Sequence, residues 1–312
     1  MAYRHVPVMV SEVIANLNCL PGKTFLDGTL GGAGHASMIL DHIQPGGRLV
    51  AIDQDLDAIE NAKIALEPHT ACTHLFHGNY TQFPDFLAQL KIPMVDGMLL
   101  DLGLSLHQLE SSGRGFSFKK DDPLDMRMDI RTPRRAEDIV NTLDYIALAD
   151  LFKKYGQERW AGPIARRICT VREKDVIRTS AQLAEIVCQA IPRARWKPGR
   201  HPATKVFMAL RIAVNRELER LEQFMERFVD HLAPGGRICI LTFHSLEDRI
   251  VKHGFKNLAR RCTCPPDFPK CVCKKKPQIR ILTKKGLRPT PEELTLNPMS
   301  RSTTLRAAEK LP

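Results

Sequence analysis

The 312-residue chain has no run of about eighteen apolar residues, so no segment of it reads as a membrane-spanning helix. Aromatic residues are scarce, at 6%, which leaves few rings for stacking on bases. Phe116, Phe118 and Trp196 are candidates, although core packing accounts for each phenylalanine as well. Glycine and proline, at 19 and 21, stay near average usage, which excludes collagen and bulk disorder. Residues 1–10 carry Arg4, His5 and Pro7 without an apolar stretch, so no secretory signal is expected. The nine cysteines are odd in number and mostly scattered. That pattern fits a reducing, cytoplasmic setting better than a disulfide framework.

What is present in excess is positive charge, and it is unevenly placed. The net charge of +11 divides into −6 for residues 1–109, +8 for 110–215 and +9 for 216–312. From Arg249 to Arg288 there are 13 basic residues and one acid, Asp267. Such asymmetry points to a polyanion, and nucleic acid is favoured because Lys/Arg neutralisation of phosphates dominates that binding. A merely solvated basic surface is the plainer alternative.

Helical periodicity and apolar runs alternate through the first hundred residues. Thr24–Leu30, Arg48–Asp53, His74–Gly78 and Gly97–Leu102 read as strands, and Val8–Leu17, Ala36–His42 and Leu56–Glu67 as helices. That alternation predicts βαβ units on a parallel sheet. From Glu110 to Arg200 only helix signals remain: Ala136–Leu143, Asp144–Tyr155, Gln157–Val171 and Ser180–Ile191. A long amphipathic helix is expected over 203–229, then a Pro234-Gly235-Gly236 turn and a strand over Arg237–Phe243. The expected organisation is therefore a sheet domain begun by residues 1–109, interrupted by a helical insertion over 110–200, and completed by 201–312 with its basic C-terminal region.

The stretch Asp27-Gly28-Thr29-Leu30-Gly31-Gly32-Ala33-Gly34-His35 lies at a strand-to-helix junction. Glycines there allow close backbone approach to a ligand, and the helix start offers free N–H groups. Asp53 ends the next strand, where a carboxylate can accept from a ribose diol. The pattern is not GxGxxG, so the dinucleotide fingerprint is not met. An acidic first segment suits a cation such as the sulfonium of S-adenosylmethionine and ill suits a pyrophosphate. Asp101 ends a further apolar run, so Asp27, Asp53 and Asp101 occupy three strand ends, the ligand side of an open α/β sheet.

Other polar groups leave two readings open. His244 and Glu247, just after the Arg237–Phe243 run, are either a hydrogen-bonded pair beside a substrate or a network fixing the loop. Asp125-Met126-Arg127-Met128-Asp129 is at least as readily structural, and His201 is expected to start the long helix. Cys262, Cys264, Cys271 and Cys273 place four thiols within twelve residues. A thiolate quartet favours tetrahedral zinc, and Arg260, Arg261 and Lys274–Lys276 would offset its negative charge. The spacing is CxC rather than CxxC, so reduced thiols in a loop are the alternative.

Seven segments carry a resemblance to one family: His5–Val13, Asp27–His35, Asp101–Leu109, Arg114–Asp129, His201–Leu218, Phe243–Lys252 and Asn297–Lys310. Together they resemble the RsmH/MraW family of ribosomal RNA small-subunit methyltransferases, along nearly the whole chain. The resemblance implies a class I (Rossmann-like) methyltransferase sheet with an inserted all-helical, substrate-recognition domain. It implies methyl transfer from S-adenosylmethionine to the exocyclic N4 amine of a cytosine, position 1402, in the decoding region of 16S rRNA of the small ribosomal subunit. It also implies cofactor contacts at Ala33, Gly34, His35, Asp53, Tyr80, Asp101 and Gln108. Asp101 is the candidate for a catalytic role, with Ser105 and His107 on the same loop as alternative acceptors for the amine hydrogens. Five positions depart from the family pattern. Ala33 replaces glycine, Tyr80 a common phenylalanine, Leu106-His107 the usual Ser-Pro, and Met208 a usual glutamine. Two other classes compete: a small-molecule methyltransferase, and an RNA-binding assembly factor with a vestigial cofactor site. The intact acids at 27, 53 and 101 argue against the second.

Overall fold

The apolar runs become strands of one seven-stranded sheet in the computed structural model, which describes residues 7–262, 264 and 272–312. The strands are β1 (Thr24–Asp27), β2 (Arg48–Asp53), β3 (Thr73–His77), β4 (Val95–Asp101), β5 (Leu232–Thr242), β6 (Ile279–Ile281) and β7 (Thr304–Lys310). Their order is β3-β2-β1-β4-β5-β7-β6. The first five are mutually parallel, and β7 runs antiparallel to both neighbours. This is the class I methyltransferase sheet that the resemblance implied.

Successive side chains of a strand point to opposite faces, so a strand buried on both sides feeds two cores. Val50, Met98, Leu100, Ile238 and Ile240 pack with Phe83, Phe224, Phe228 and Phe255. Leu49, Ala51, Leu99, Cys239 and Leu241 pack on the other face with Val13, Leu17, Ile39 and Leu40 of the helices Val10–Leu17 and Gly34–Ile43. Pro234-Gly235-Gly236 is not a turn ahead of the strand. It is a bulge within β5, where the pairing shifts from Val95↔Leu232 to Gly97↔Arg237.

The chain divides into two compact units, Met1–Gly103 with Leu218–Pro312, and Leu104–Glu217. The second holds the helices Leu106–Glu110, Ala136–Thr142, Tyr145–Gly156, Ala161–Arg172, Ser180–Ala190 and Thr204–Asn215. Pro163 sits in the first turn of its helix, where a missing N–H costs nothing. The expected helix over 203–229 is two helices, Thr204–Asn215 and Glu217–Arg227, broken at Arg216 with φ 51°. Its first half belongs to the helical unit, so that unit extends past the expected boundary at residue 200. Gly156 explains the packing there: a Cβ on it would lie 2.6 Å from the Lys205 carbonyl oxygen. Helix Tyr145–Gly156 therefore approaches Thr204–Asn215 closely only because residue 156 has no side chain. Among the described residues no helix is long and apolar enough to cross a membrane.

Candidate active site

The parallel register brings the C-terminal ends of β1, β2 and β4 side by side, and each ends in an aspartate. Asp27 is buried, and Asp53 and Asp101 are largely so. Asp27 Oδ1 accepts the Thr29 N–H at 3.0 Å. Asp53 accepts from Gly31 N–H at 2.7 Å and from Asp55 N–H at 2.8 Å. Asp53 thus holds the glycine turn with one oxygen and caps the next loop with the other. The Asp101 N–H donates to Thr29 Oγ1, tying β4 to the same turn.

Two oxygens in this cluster, Asp27 Oδ2 and Asp101 Oδ1, are buried with no hydrogen-bond partner. Leaving such a group unsatisfied costs roughly 1–3 kcal/mol each, so a pair at one site marks a place where a ligand supplies the missing donors or charge. Burial pushes the Asp27 carboxyl up to about 7, against the opposing Thr29 N–H. Burial likewise pushes Asp53 up to about 6. Asp101 is held well above the usual carboxylate range, first by burial and then by the charges of Asp27 and Glu247. A cation placed among these acids would reverse those shifts.

The glycine turn is shaped by close approach. A Cβ at Gly28 would lie 2.5 Å from Leu100 Cδ2 and 3.0 Å from the Tyr80 Cβ. Tyr80 is buried against the turn and meets Phe224 edge-on, with centroids 5.7 Å apart. Ala33 is in the left-handed region, φ 64°, at the N-cap of helix Gly34–Ile43. That is the position at which the sequence departs from a usual glycine. His35, in the first turn, donates from Nε2 to the Val8 carbonyl at 2.9 Å. Ala33, Gly34, His35, Asp53, Tyr80 and Asp101 all belong to the sheet unit and surround this turn and its strand ends.

Gln108 lies in the helical unit. Its Oε1 accepts the Ser105 N–H at 3.1 Å and its own N–H donates to Ser105 Oγ, closing a capping box on helix Leu106–Glu110. His244 and Glu247 form a capping box on helix Ser245–Leu258. Glu247 accepts the N–H groups of Phe243 and His244 at 2.8 and 3.3 Å. His244 Nε2 lies 3.2 Å from Glu247 Oε1, a contact without hydrogen-bond geometry. Glu247 thus fixes the loop and adds negative charge near Asp101. The Asp125–Asp129 run is braced within its own unit. Arg127 bridges Asp125 to the carbonyls of Ile130 and Thr132, and Asn215 bonds Met126 and Met128. His201 stacks on Phe118, with centroids 4.2 Å apart, and its ring accepts the Ala203 N–H. Cys262, Cys264 and Cys273 converge, and Cys271 lies outside the described residues.

Thr29 is the participant that sequence reasoning passed over. Its only sequence signal is its place between Asp27 and the glycines.

The MraW methylase family model matches residues 2–311. The chain belongs to the MraW methylase family. Ribosomal RNA small subunit methyltransferase H of Desulforapulum autotrophicum is 55% identical over 309 residues, 99% of each chain. The protein of the same name from Desulfosudis oleivorans is 50% identical over the full length of both. That of Trichlorobacter lovleyi is 48% identical over 99% of each.

A MraW methylase draws its methyl group from S-adenosylmethionine, and the site fits that molecule. Its sulfonium and amino group are cations for a cluster of buried acids, its hydroxyls are donors for carboxylate oxygens, and it carries no phosphate for the acids to repel. The N–H groups of the first turn at Gly34 and His35 suit a carboxylate.

Proposed function

We propose that this MraW methylase methylates the exocyclic N4 amine of a cytosine in 16S rRNA, within the small ribosomal subunit and hence in the cytoplasm. The observation that carries the reading is the buried acid cluster with its two unpartnered oxygens at the carboxyl ends of β1 and β4. The names of the relatives support rRNA as the substrate class, and the basic 110–312 stretch supplies charge for phosphates.

S-adenosylmethionine supplies an electrophilic methyl on a positively charged sulfur. The new N–CH3 bond forms as the S–CH3 bond breaks, and the sulfur keeps the bonding pair as a neutral thioether. A cytosine amine is a poor nucleophile because its lone pair is delocalised into the ring. Holding it in line can contribute roughly 7–11 kcal/mol. The amine must also shed one proton. Asp101 Oδ1 is the acceptor in this reading, since it is unpartnered and its raised proton affinity matches the task.

The test is incubation with methyl-labelled S-adenosylmethionine and small subunits from cells lacking the activity, followed by digestion to nucleosides. Label in N4-methylcytidine at one site is expected. Label in another nucleoside, or in none with cofactor binding intact, overturns the proposal.

A further inference from the structure

We infer that Cys262, Cys264 and Cys273 form a structural zinc site in the loop between helix Ser245–Leu258 and β6. Their three sulfurs lie within 4.8 Å of one another. The Cys262 and Cys273 sulfurs are 3.7 Å apart. Tetrahedral zinc at about 2.3 Å from each thiolate sets its ligand sulfurs about 3.8 Å apart. The spacing is therefore that of co-ligands.

The backbone around the sulfurs is arranged for anions. The Cys264 N–H donates to Cys262 Sγ at 3.3 Å, and the Val272 N–H donates to Cys264 Sγ at 3.4 Å. N–H groups aimed at sulfur orient metal-bound thiolates and stabilise their charge, the outer-shell support that metal sites need. Arg260, Arg261, Lys274, Lys275 and Lys276 on the same two legs balance a multiply anionic site. Two other described cysteines are of another kind. Cys239 is a core thiol, and burial pushes Cys19 up to about 12. A soft, thiolate-only donor set selects zinc over the hard divalent cations.

The loop shows what the metal would do. The Gln278 N–H donates to the Leu258 carbonyl at 2.9 Å, which closes the loop at its base. Zinc between residues 262 and 273 is a second closure further out. The basic residues on the two legs lie between these closures and are held as a rigid pair of cationic strips.

Zinc content is measured on the full-length protein purified under reducing conditions without chelator, with Cys264→Ser and Cys273→Ser alongside. About one zinc per chain is expected, falling below about 0.2 in either variant. S-adenosylmethionine affinity should be unchanged in both variants, which separates site loss from misfolding. Cobalt exchanged into the site should show thiolate-to-metal charge-transfer absorption that the variants lack. A parent protein with less than about 0.2 zinc after supplementation overturns the inference, as does zinc that survives both substitutions or iron with a visible cluster spectrum.

Discussion

Asp101 Oδ2 lies 3.5 Å from His35 Nδ1, and the far nitrogen of that ring is engaged by the Val8 carbonyl. A carbonyl only accepts, so the proton of a neutral His35 ring sits on Nε2 and Nδ1 faces Asp101 as an acceptor. The arrangement favours a proton on Asp101 Oδ2, while Oδ1 is the buried oxygen without a hydrogen-bond partner. In the proposed reaction, where Asp101 takes up the amine proton, its protonated state would thus have a partner.

Asp101→Asn should lower kcat by about 100-fold or more at saturating cofactor, the range typical of a lost general base. The variant should also melt at a higher temperature than the parent at pH 9. Asparagine never carries the charge that burial, Asp27 and Glu247 disfavour. Single-turnover rates and alkaline melting curves check both halves. Unchanged turnover removes Asp101 from the chemistry.

Cofactor affinity should rise with pH between about 5 and 8. Asp27, raised to about 7 by burial, must be ionised to hold a cation, and Asp53, raised to about 6, must be ionised to accept from hydroxyls with both oxygens. Binding should release protons in that window, seen as a buffer-dependent calorimetric heat. Ligand-free stability should move the opposite way. Because the folded values exceed the unfolded ones, this contribution is present in acid and is lost as pH rises through about 6 to 7.

Thr29→Val should destabilise the ligand-free protein by about 1–3 kcal/mol, because it strips the acceptor from the buried Asp101 N–H. It should also lower turnover more than it lowers cofactor affinity, since Asp101 loses its anchor. Thr29→Ser should restore both. Rescue of neither would mean that the hydroxyl is not the operative group.

At Ala33 two substitutions should diverge. A left-handed alanine costs roughly 1–2 kcal/mol. Glycine would relieve that but forfeit about 0.8 kcal/mol of methyl burial and roughly 0.5–1 of unfolded-state entropy. Ala33→Gly should therefore stay within about 1 kcal/mol of the parent, whereas a β-branched Ala33→Val should cost about 2 kcal/mol or more and weaken cofactor binding. Thermal melts with and without cofactor compare them.

The strands that hold the site were legible because each is an apolar run ending in an acid, as in RLVAID. The last two strands were not. Thr304–Lys310 contains Arg306, which reads as exposed but is buried in an ion pair with Asp248 at 2.6 Å. A single apolar stripe hid the break at Arg216. Asn215, which looks like an ordinary helical residue, spends its side chain on Met126 and Met128. Composition reports which residues carry charge, and only tertiary contacts report where it is neutralised. For the same reason the three aspartates were visible from sequence, while Thr29, which bonds Asp27 through its N–H and Asp101 through its hydroxyl, was not.

The pairing of β4 with β5 joins strands that the whole helical unit separates in the chain. During synthesis β4 leaves an open edge until residue 242 has emerged, and long-range strand pairing of this kind is slow. Closing a longer loop adds only modest entropy, about 0.6 kcal/mol per doubling of length. A helical insertion rich in local contacts can fold first and shorten the effective gap. The nascent chain thus postpones completion of this edge until β5 exists, and a chain truncated before residue 232 would leave β4 paired with β1 alone, its other edge open and prone to aggregation.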